Sequence, residues 1–435
     1  MALGGGTFTA QNKKLPGSYI NFVSAARASA TVADRGVAAI AMPLGWGETG
    51  KVISLSVDDF VYNTRKFTGY DYSDDAIMGL RELFKHATTV LLYRLNTSAT
   101  KATCKFCDAK YGGVRGNDLK IVITANVDTP QNFDVKTLLG DVEVDVQTNV
   151  ATDTDALEDN EYVVWKSGVA LELTANTPLT TGTDGTIQAQ DWQSALNAFE
   201  NESFNTFGAP TSDTEVQSLI ITWTKRMRDE MGVKFQTVLY NKGGDYEGII
   251  NLVTKANAGN AYDSVYWVTG AQAGCAVNGS CTNMVYDGEL DLDISKTQAQ
   301  LEACIDAGEF VFHKVGDEVR VLVDVNSLVN VTTEKNEDFK SNQTIRVLDQ
   351  IANDIATLFN TRYLGIIPND NAGRVSLWND IVKHHQQLQD IRAIENFDPE
   401  NVIVRQGDTK KSVVVTDAVT PVNAMEILYM TVTVS

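Results

Sequence analysis

The sequence contains little proline, histidine or cysteine, and each shortage excludes a class of protein. Of 435 residues, 8 are proline, 4 are histidine and 5 are cysteine. Few prolines argue against long disordered linkers. A small, odd number of cysteines argues against a disulfide scaffold and favours synthesis in a reducing cytoplasm. No apolar run reaches the ~18 residues of a membrane-spanning helix, and the N-terminus lacks a signal peptide's apolar region, so we expect no membrane insertion.

The chain also lacks an excess of positive charge. Aspartate and glutamate total 56 and lysine and arginine 36, which gives a formal net charge of −20. A nucleic-acid-binding protein normally carries the opposite excess, so we expect no nucleic-acid partner. The charge is unevenly placed. Between residues 128 and 172 there are 11 acids and 2 lysines (2 − 11, a net −9), whereas the first 35 residues carry 4 basic groups and 1 acid (4 − 1, a net +3).

The order of apolar patterns predicts a multidomain protein of the α+β and α/β classes. At roughly 100–200 residues per domain, the length allows several domains. Alternating strands and helices predict α/β layered domains, whereas a Thr- and Val-rich stretch with period-2 alternation predicts an inserted all-β, sandwich-like module. We predict these boundaries: an N-terminal arm (1–35), an N-terminal α/β domain (36–96), the β-rich module (97–180), an α/β domain (181–338) and an α+β C-terminal domain (339–435).

Both ends of the chain contain β-prone segments whose partners the sequence does not reveal. Residues 19–23 form a short β-prone run inside the basic arm, and residues 424–434 (AMEILYMTVTV) predict a closing strand. Each segment either pairs within its own domain or adds to the sheet of another chain.

A glycine-rich segment nearly matches a phosphate-binding loop. Residues 45–51 have the spacing G-x-x-x-x-G-K, but Val52 replaces the required Ser or Thr. The following VISLSV predicts a strand, whereas a phosphate cradle needs a helix N-terminus. We interpret the segment as a tight turn and expect no cofactor.

The remaining reactive side chains do not form a recognisable catalytic or metal pattern. Cys104 and Cys107 are spaced C-x-x-C, but Cys275 and Cys281 do not complete zinc-ribbon spacing. The four histidines lie in no nucleophile or metalloprotease motif. We therefore expect no catalytic residue and no metal site.

Several phrases, in their order and spacing, resemble the contractile phage tail sheath proteins of Gram-positive phages and defective prophages, related to R-type bacteriocin sheaths. The first are GGGTF, QNK, LPGSYINFVS and DRGVAAIAMPLGWGETGKV near the N-terminus. YGGVRGNDLKIVI and TPLTTGTDGTI follow, and the C-terminal stretch from NDNAGRVSLWNDI to VVVTDAVTPVNAMEILYMTVTV completes the set. The resemblance spans nearly the whole chain.

The resemblance implies a structural protein rather than an enzyme, without a cofactor. It implies a homopolymer that winds helically around an inner tail tube protein and contracts to drive that tube through a cell envelope. Further implied partners are the baseplate and tail terminator proteins. The subunit would be made and assembled in the host cytoplasm and would act in a virion tail or bacteriocin particle.

The resemblance also implies residue roles, because family members exchange terminal strands between neighbouring C-terminal polymerisation domains. The implied N-terminal arm residues are Tyr19, Ile20, Asn21, Phe22 and Val23. The implied C-terminal arm residues are Ile427, Leu428, Tyr429, Met430, Thr431, Val432, Thr433 and Val434. The implied tube-facing residues, on a helix predicted over 373–394, are Arg374, Lys383, His384, His385 and Arg392.

The sequence alone leaves two alternative functions open. A cytoplasmic enzyme with an α/β catalytic domain and a β accessory module would need a convergent polar pocket. Another phage structural subunit, of a tube or a capsid, would also polymerise, but the α/β middle domain and the length argue against a tube protein.

Overall fold

The computed structural model describes residues 34–434, so the predicted arm residues 19–23 lie outside the described residues. Two compact units are distinguished among these residues. The larger unit contains residues 34–353, 388–397 and 419–434, and the smaller unit contains residues 354–387 and 398–418.

Eight α-helices and twenty strands make up the regular structure of residues 34–434. The helices are α1 (Val57–Thr68), α2 (Met78–Phe84), α3 (Ala189–Phe199), α4 (Thr214–Lys225), α5 (Ser264–Gly274), α6 (Gln298–Asp306), α7 (Asn342–Leu358) and α8 (Asn371–Asp390). The strands are β1 (Val37–Met42), β2 (Val52–Ser56), β3 (Thr89–Arg94), β4 (Lys101–Thr103), β5 (Cys107–Gly112), β6 (Leu119–Ala125), β7 (Phe133–Leu139), β8 (Val142–Val150), β9 (Val163–Trp165), β10 (Thr174–Pro178), β11 (Thr206–Ala209), β12 (Gln236–Tyr240), β13 (Ile249–Leu252), β14 (Glu309–Phe310), β15 (Phe312–Val315), β16 (Glu318–Val321), β17 (Ile394–Glu395), β18 (Ile403–Gln406), β19 (Val413–Thr416) and β20 (Thr420–Pro421).

The larger unit is built on a seven-stranded sheet with the order β14-β13-β12-β11-β1-β3-β2. Neighbouring strands are parallel except β2, which is antiparallel to β3. Strands from the predicted domains 36–96 and 181–338 therefore share one sheet. β1 lies between β3 and β11, with Ile40 opposite both Leu92 and Gly208.

Helices cover both faces of this sheet because its strands are apolar on both sides. On one face, Ala38 and Ile40 of β1 pack in a core with α1, α2 and Tyr266 of α5. On the other face, Ala39 and Ala41 pack in a core with α3 and α4. The result is the α/β layered architecture that the alternation of patterns predicts.

The β-rich module has its own core between two sheets. One sheet has the order β10-β6-β7-β8 and the other has the order β4-β5-β9. Alternate residues of β6, Leu119, Ile121 and Ile123, are buried in this core, as expected for strands with one packed face. The inserted sandwich-like module predicted from the sequence is confirmed, and with it the mixed α+β and α/β class.

The smaller unit combines residues of α7 and α8 with a two-stranded antiparallel sheet, β18–β19. The indole N–H of Trp378 on α8 donates to the Val402 carbonyl at 2.9 Å. The side-chain amide of Asn369 donates to the Ser412 carbonyl at 2.8 Å. These bonds tie both ends of the hairpin to the helical part of the unit.

Two helices, α1 and α5, are not predicted from the pattern of apolar residues in the sequence. α1 has a capping box in which Ser56 and Asp59 bond reciprocally, a signal that is present in the sequence. α5 is buried along almost its whole length, from Ser264 to Ala273. A helix that is apolar on all sides has no amphipathic period to detect.

Candidate interaction surfaces

The C-terminal segment is anchored in the larger unit as far as residue 426. β20 pairs with β17, and the amide of Ala424 donates to Oε1 of Gln343 at 2.9 Å. The hydroxyl of Thr282 donates to Oε1 of Glu426 at 2.7 Å. The chain therefore leaves the folded body at a defined point.

Beyond Glu426, residues 427–434 form neither a helix nor a strand, and none of residues 34–426 hydrogen-bonds to their backbone. Their apolar side chains are open to solvent: Leu428 is 85% exposed, Tyr429 89% and Val434 91%. Among the described residues, the closing strand predicted over 424–434 therefore does not complete a sheet of its own chain, and its addition to a neighbour's sheet stays a prediction. This β-prone segment has no ladder partner among the described residues.

The hairpin β18–β19 is a second incomplete β-structure. Each strand is paired only with the other among residues 34–434, so each has one open edge. Ile403 is 53% exposed, and Val414 and Val415 are about two-fifths exposed. A two-stranded sheet is marginal by itself and presents unpaired N–H and C=O groups. The sequence predicts the two strands, but it does not reveal that their outer edges have no partner among residues 34–434.

Helix α8 presents a mixed face to solvent. Val375, Asn379 and Lys383 are exposed at the four-residue spacing of one helix face. Arg374 is only half exposed, and its guanidinium donates to the backbone and side-chain oxygens of Asn369 at 3.1 and 3.0 Å. Of the predicted basic residues on α8, Lys383 is therefore the one with an exposed charge.

Two tube-facing assignments need correction because His384 and His385 are inside the protein. Their exposed fractions are 1% and 0%. Nε2 of His384 lies 2.8 Å from Oδ2 of Asp354, and Nε2 of His385 lies 2.6 Å from Oδ2 of Asp417. The two Nδ1 atoms are 3.2 Å apart, a contact that is a hydrogen bond only when one of them carries a proton. These four side chains are a core network of the smaller unit.

A third correction concerns Arg392, which lies beyond the end of α8 rather than on it. The helix ends at Asp390, and Arg392 takes a left-handed conformation with φ 59°. Its amide donates to the Gln389 carbonyl at 2.9 Å, as in a helix-terminating turn. Its side chain is exposed.

The loop at residues 45–51 is organised around a cation rather than an anion. The buried guanidinium of Arg94 donates to the carbonyl oxygens of Leu44 at 2.8 Å, Gly47 at 2.5 Å and Gly112 at 2.8 Å. Burial lowers the pKa of Arg94 to about 10. Strand β2 begins at Val52, so no helix N-terminus faces the loop. The interpretation as a turn rather than a phosphate cradle follows from these contacts.

Residues 34–434 contain neither a cluster suited to a metal ion nor a helix suited to a membrane. No cluster of three or more His, Cys, Asp and Glu side chains has a geometry suited to a metal ion there. In the same residues, no helix combines the length and apolar character needed to cross a bilayer.

Four sequence profiles match the chain, one after another. They are "Tail sheath protein Gp18 domain III N-terminal region" over residues 35–95, "Phage tail sheath protein beta-sandwich domain" over 96–184, "Phage tail sheath protein central domain" over 185–327 and "Phage tail sheath C-terminal domain" over 334–435.

Whole-chain comparisons agree with these matches. The chain is 36% identical to the sheath tail protein of Desulfitobacterium hafniense, with a TM-score of 0.82 over 94% of this chain and 97% of that one. It is 32% identical to the phage-like element PBSX protein XkdK of Bacillus subtilis, over the full length of both. It shares its fold, at 12% identity and a TM-score of 0.55, with the contracted helical sheath of the anti-feeding prophage, covering 97% of this chain and 99% of that one.

These likenesses define a structural component of a phage or phage-like tail. The chain belongs to the phage tail sheath protein family and is a structural subunit of a tail sheath. The resemblance seen in the sequence is confirmed.

The histidine network yields a stability prediction. Asp354→Ala should lower the free energy of unfolding by about 1–3 kcal/mol, because it leaves the buried Nε2 of His384 without its carboxylate. The exposed-site control Asp408→Ala should change it by less than about 0.5 kcal/mol. Urea unfolding followed by circular dichroism measures both. Equal effects of the two substitutions would show that the network is not part of the core's stability.

Proposed function

We propose that this chain assembles with copies of itself into a helical sheath around an inner tail tube, by exchange of terminal strands, and contracts to drive the tube through a cell envelope. The observation that carries the proposal is the exposed, apolar segment 427–434, which has no backbone partner among residues 34–426. Such a segment is costly in a free monomer, both as open apolar surface and as an edge for aggregation. A partner strand in another subunit removes both costs.

The side-chain pattern of the segment fits a strand that adds to a sheet. Successive side chains of a strand point to opposite faces. One alternate set is wholly apolar and consists of Leu428, Met430, Val432 and Val434. The other set consists of Ile427, Tyr429, Thr431 and Thr433, half of which are threonines. The first set suits the packed face of an augmented sheet, and the second suits the outer face.

The hairpin β18–β19 is the acceptor we propose. Among the described residues 34–434 it has two open edges, one on β18 and one on β19, and the chain has two predicted arms, residues 19–23 and 427–434. One arm from each of two neighbours would convert a marginal two-stranded sheet into a stable four-stranded one. Main-chain hydrogen bonds would supply the affinity, and the alternating side chains would set the register.

Links of this kind generate a helix rather than a closed dimer, because donor and acceptor are different surfaces of the subunit. Strand links hold their register while the domains around them rotate, which suits a sheath that shortens. We propose that contraction releases free energy stored in contacts between subunits. The subunit would then act without enzymatic activity and without a cofactor.

Further partners follow from the same proposal. A sheath must begin at a baseplate and end at a tail terminator, so both proteins are proposed partners. Synthesis and assembly in the host cytoplasm agree with free thiols at all five cysteines, each of which lies in the described part of the chain.

We further propose that the exposed face of α8, around Lys383, contacts the tube. A single lysine on a face with Val375 and Asn379 gives a contact of mixed apolar, polar and basic character. Arg392 is exposed and remains a candidate for the tube contact, whereas His384 and His385 are no longer candidates because they are buried.

The strand-exchange proposal predicts opposite outcomes at two adjacent positions. Met430→Asp should raise the subunit concentration needed for polymerisation at least about tenfold, because an apolar side chain worth roughly 1.5–3 kcal/mol of burial is replaced by a charge. Thr431→Asp puts the same residue on the outer face and should polymerise nearly as the wild type does. Sedimentation and negative-stain electron microscopy measure both.

Neither substitution should change monomer stability, because both side chains are exposed in the single chain. Thermal unfolding of the unassembled variants is the control. The alternating burial of the arm would be contradicted if Met430→Asp polymerised as the wild type does. It would also be contradicted if both variants failed to polymerise to the same extent.

The tube proposal has a separate test. Lys383→Glu should weaken co-sedimentation of the sheath with its tube several-fold, with a larger effect at low salt, because charge contacts at a wet interface are screened. Assembly of the sheath alone should be unchanged. Lys314→Glu, the same charge reversal at an exposed position of β15, is the matched control. Unchanged tube association of Lys383→Glu would remove this face of α8 from the interface.

A further inference from the structure

Two thiols face each other at the first turn of the β module. Strands β4 and β5 form an antiparallel hairpin, and Lys105 and Phe106 connect Cys104 to Cys107. The amide of Cys104 donates to the carbonyl of Cys107 at 2.9 Å, which closes the turn. The two side chains are thus held together by the hairpin backbone.

The sulfur atoms of this pair are 3.6 Å apart. A disulfide has an S–S bond of about 2.05 Å, so the two atoms need to approach by roughly 1.5 Å. Cys107 is fully buried in the core of the β module, whereas Cys104 is partly exposed. The sulfur of Cys104 is therefore open to a reagent from solvent, whereas the sulfur of Cys107 is buried next to it.

The surroundings favour a thiolate on the outer sulfur. The ammonium of Lys166 lies 2.5 Å from the carbonyl oxygen of Cys104 and 2.7 Å from the hydroxyl of Thr103, with the carboxylate of Asp108 at 3.2 Å. The hydrogen bond from the Cys107 thiol, with backbone N–H groups and the Lys166 charge, lowers the pKa of Cys104 to about 6. The same hydrogen bond and burial raise the pKa of Cys107.

We propose that Cys104 and Cys107 form a reversible thiol–disulfide site that is oxidised by small-molecule disulfides. The Cys104 thiolate attacks one sulfur of the reagent, breaks its S–S bond and releases one reagent thiolate. The Cys107 sulfur then attacks the Sγ of Cys104 in the mixed disulfide, losing its proton to the released thiolate. The bond between Cys104 and the reagent breaks, and the second reagent sulfur leaves as a thiolate. Counted from the Cys104 thiolate and the Cys107 thiol, the protein loses two electrons and one proton, and the reagent is reduced to one thiol and one thiolate.

The other cysteines of the chain include a second thiol pair. Cys275 is partly exposed and is hydrogen-bonded to the thiol of Cys281, which lowers the pKa of Cys275 to about 7. Cys281 is fully buried, and its thiol also donates to the Ala271 carbonyl at 3.8 Å. Cys304 on α6 is 4% exposed. Cys104 has the lower pKa of the two partly exposed thiols, and its partner is held opposite it by the backbone of a hairpin turn.

The oxidised hairpin is a cross-link between β4 and β5 that can be reversed by a dithiol. Cytosolic thiols are kept reduced, and disulfides persist outside the cell. If the assembled particle leaves the cell, the disulfide between Cys104 and Cys107 would form after release. This consequence rests on the proposed function. The thiol–disulfide site itself depends only on the geometry of the hairpin.

The test uses the full-length, unassembled protein, reduced and freed of reductant, with 4,4′-dithiodipyridine as the reagent. The wild type should release two equivalents of thiopyridone in a fast phase and lose two mass units, and peptide mapping should join Cys104 to Cys107. Cys107→Ser should release one fast equivalent and keep one thiopyridyl group on Cys104. Cys304→Ser should behave as the wild type does.

The pH dependence provides a second readout. The fast rate should stay nearly constant from pH 8 to about 6 and fall below that, because the thiolate of Cys104 is lost as pH drops through its pKa. The proposal is overturned if native wild-type protein keeps a stable mixed disulfide, forms its fast bond between Cys275 and Cys281, or shows the fast phase undiminished in Cys104→Ser.

Discussion

The hydrogen-bonding demand of an extended backbone is the constraint on which this structure depends. Each N–H and C=O group of a strand needs a partner once water is excluded. The inner strands of the seven-stranded sheet and of the β module meet this demand within their own sheets. Residues 427–434 do not meet it within residues 34–434, and β18 and β19 each leave one edge unpaired. Among residues 34–434 the subunit thus combines an unpaired C-terminal segment with two strands that each have an open edge, a combination that suits a polymer.

Where side-chain periodicity reflects burial, the sequence predicts the fold well. β6 alternates because one of its faces packs on the module core. Helix α8 has an apolar stripe because Leu377, Ile381 and Leu388 are buried on one side of it. The loop before β2 is recognisable as a turn because Val52 and the strand pattern behind it do not fit a phosphate cradle. In each of these cases, residues close together in the sequence are sufficient to predict the local structure.

The sequence predicts less where burial is decided by distant contacts. Helix α5 is buried on all sides, so its pattern is featureless. The single sheet shared by residues 37–94 and 206–310 depends on pairing across the inserted module. His384 and His385 look like surface groups on a polar helix, but Asp354 and Asp417, far away in sequence, make their burial possible. The closeness of Cys104 and Cys107 is visible as spacing, but the placement of Lys166 beside them is not.

Hydrogen exchange of the arm amides tests the central claim most directly. In the unassembled subunit, amides 427–434 should exchange at the rate of an unstructured chain, because they have no partner among residues 34–426. In assembled sheath, those that pair with a neighbour should be slowed at least ~100-fold, corresponding to about 2.7 kcal/mol of opening free energy, while amides of β1 stay equally protected in both forms. Exchange of residues 427–434 that is equally fast in subunit and sheath would contradict strand exchange through the C-terminal arm.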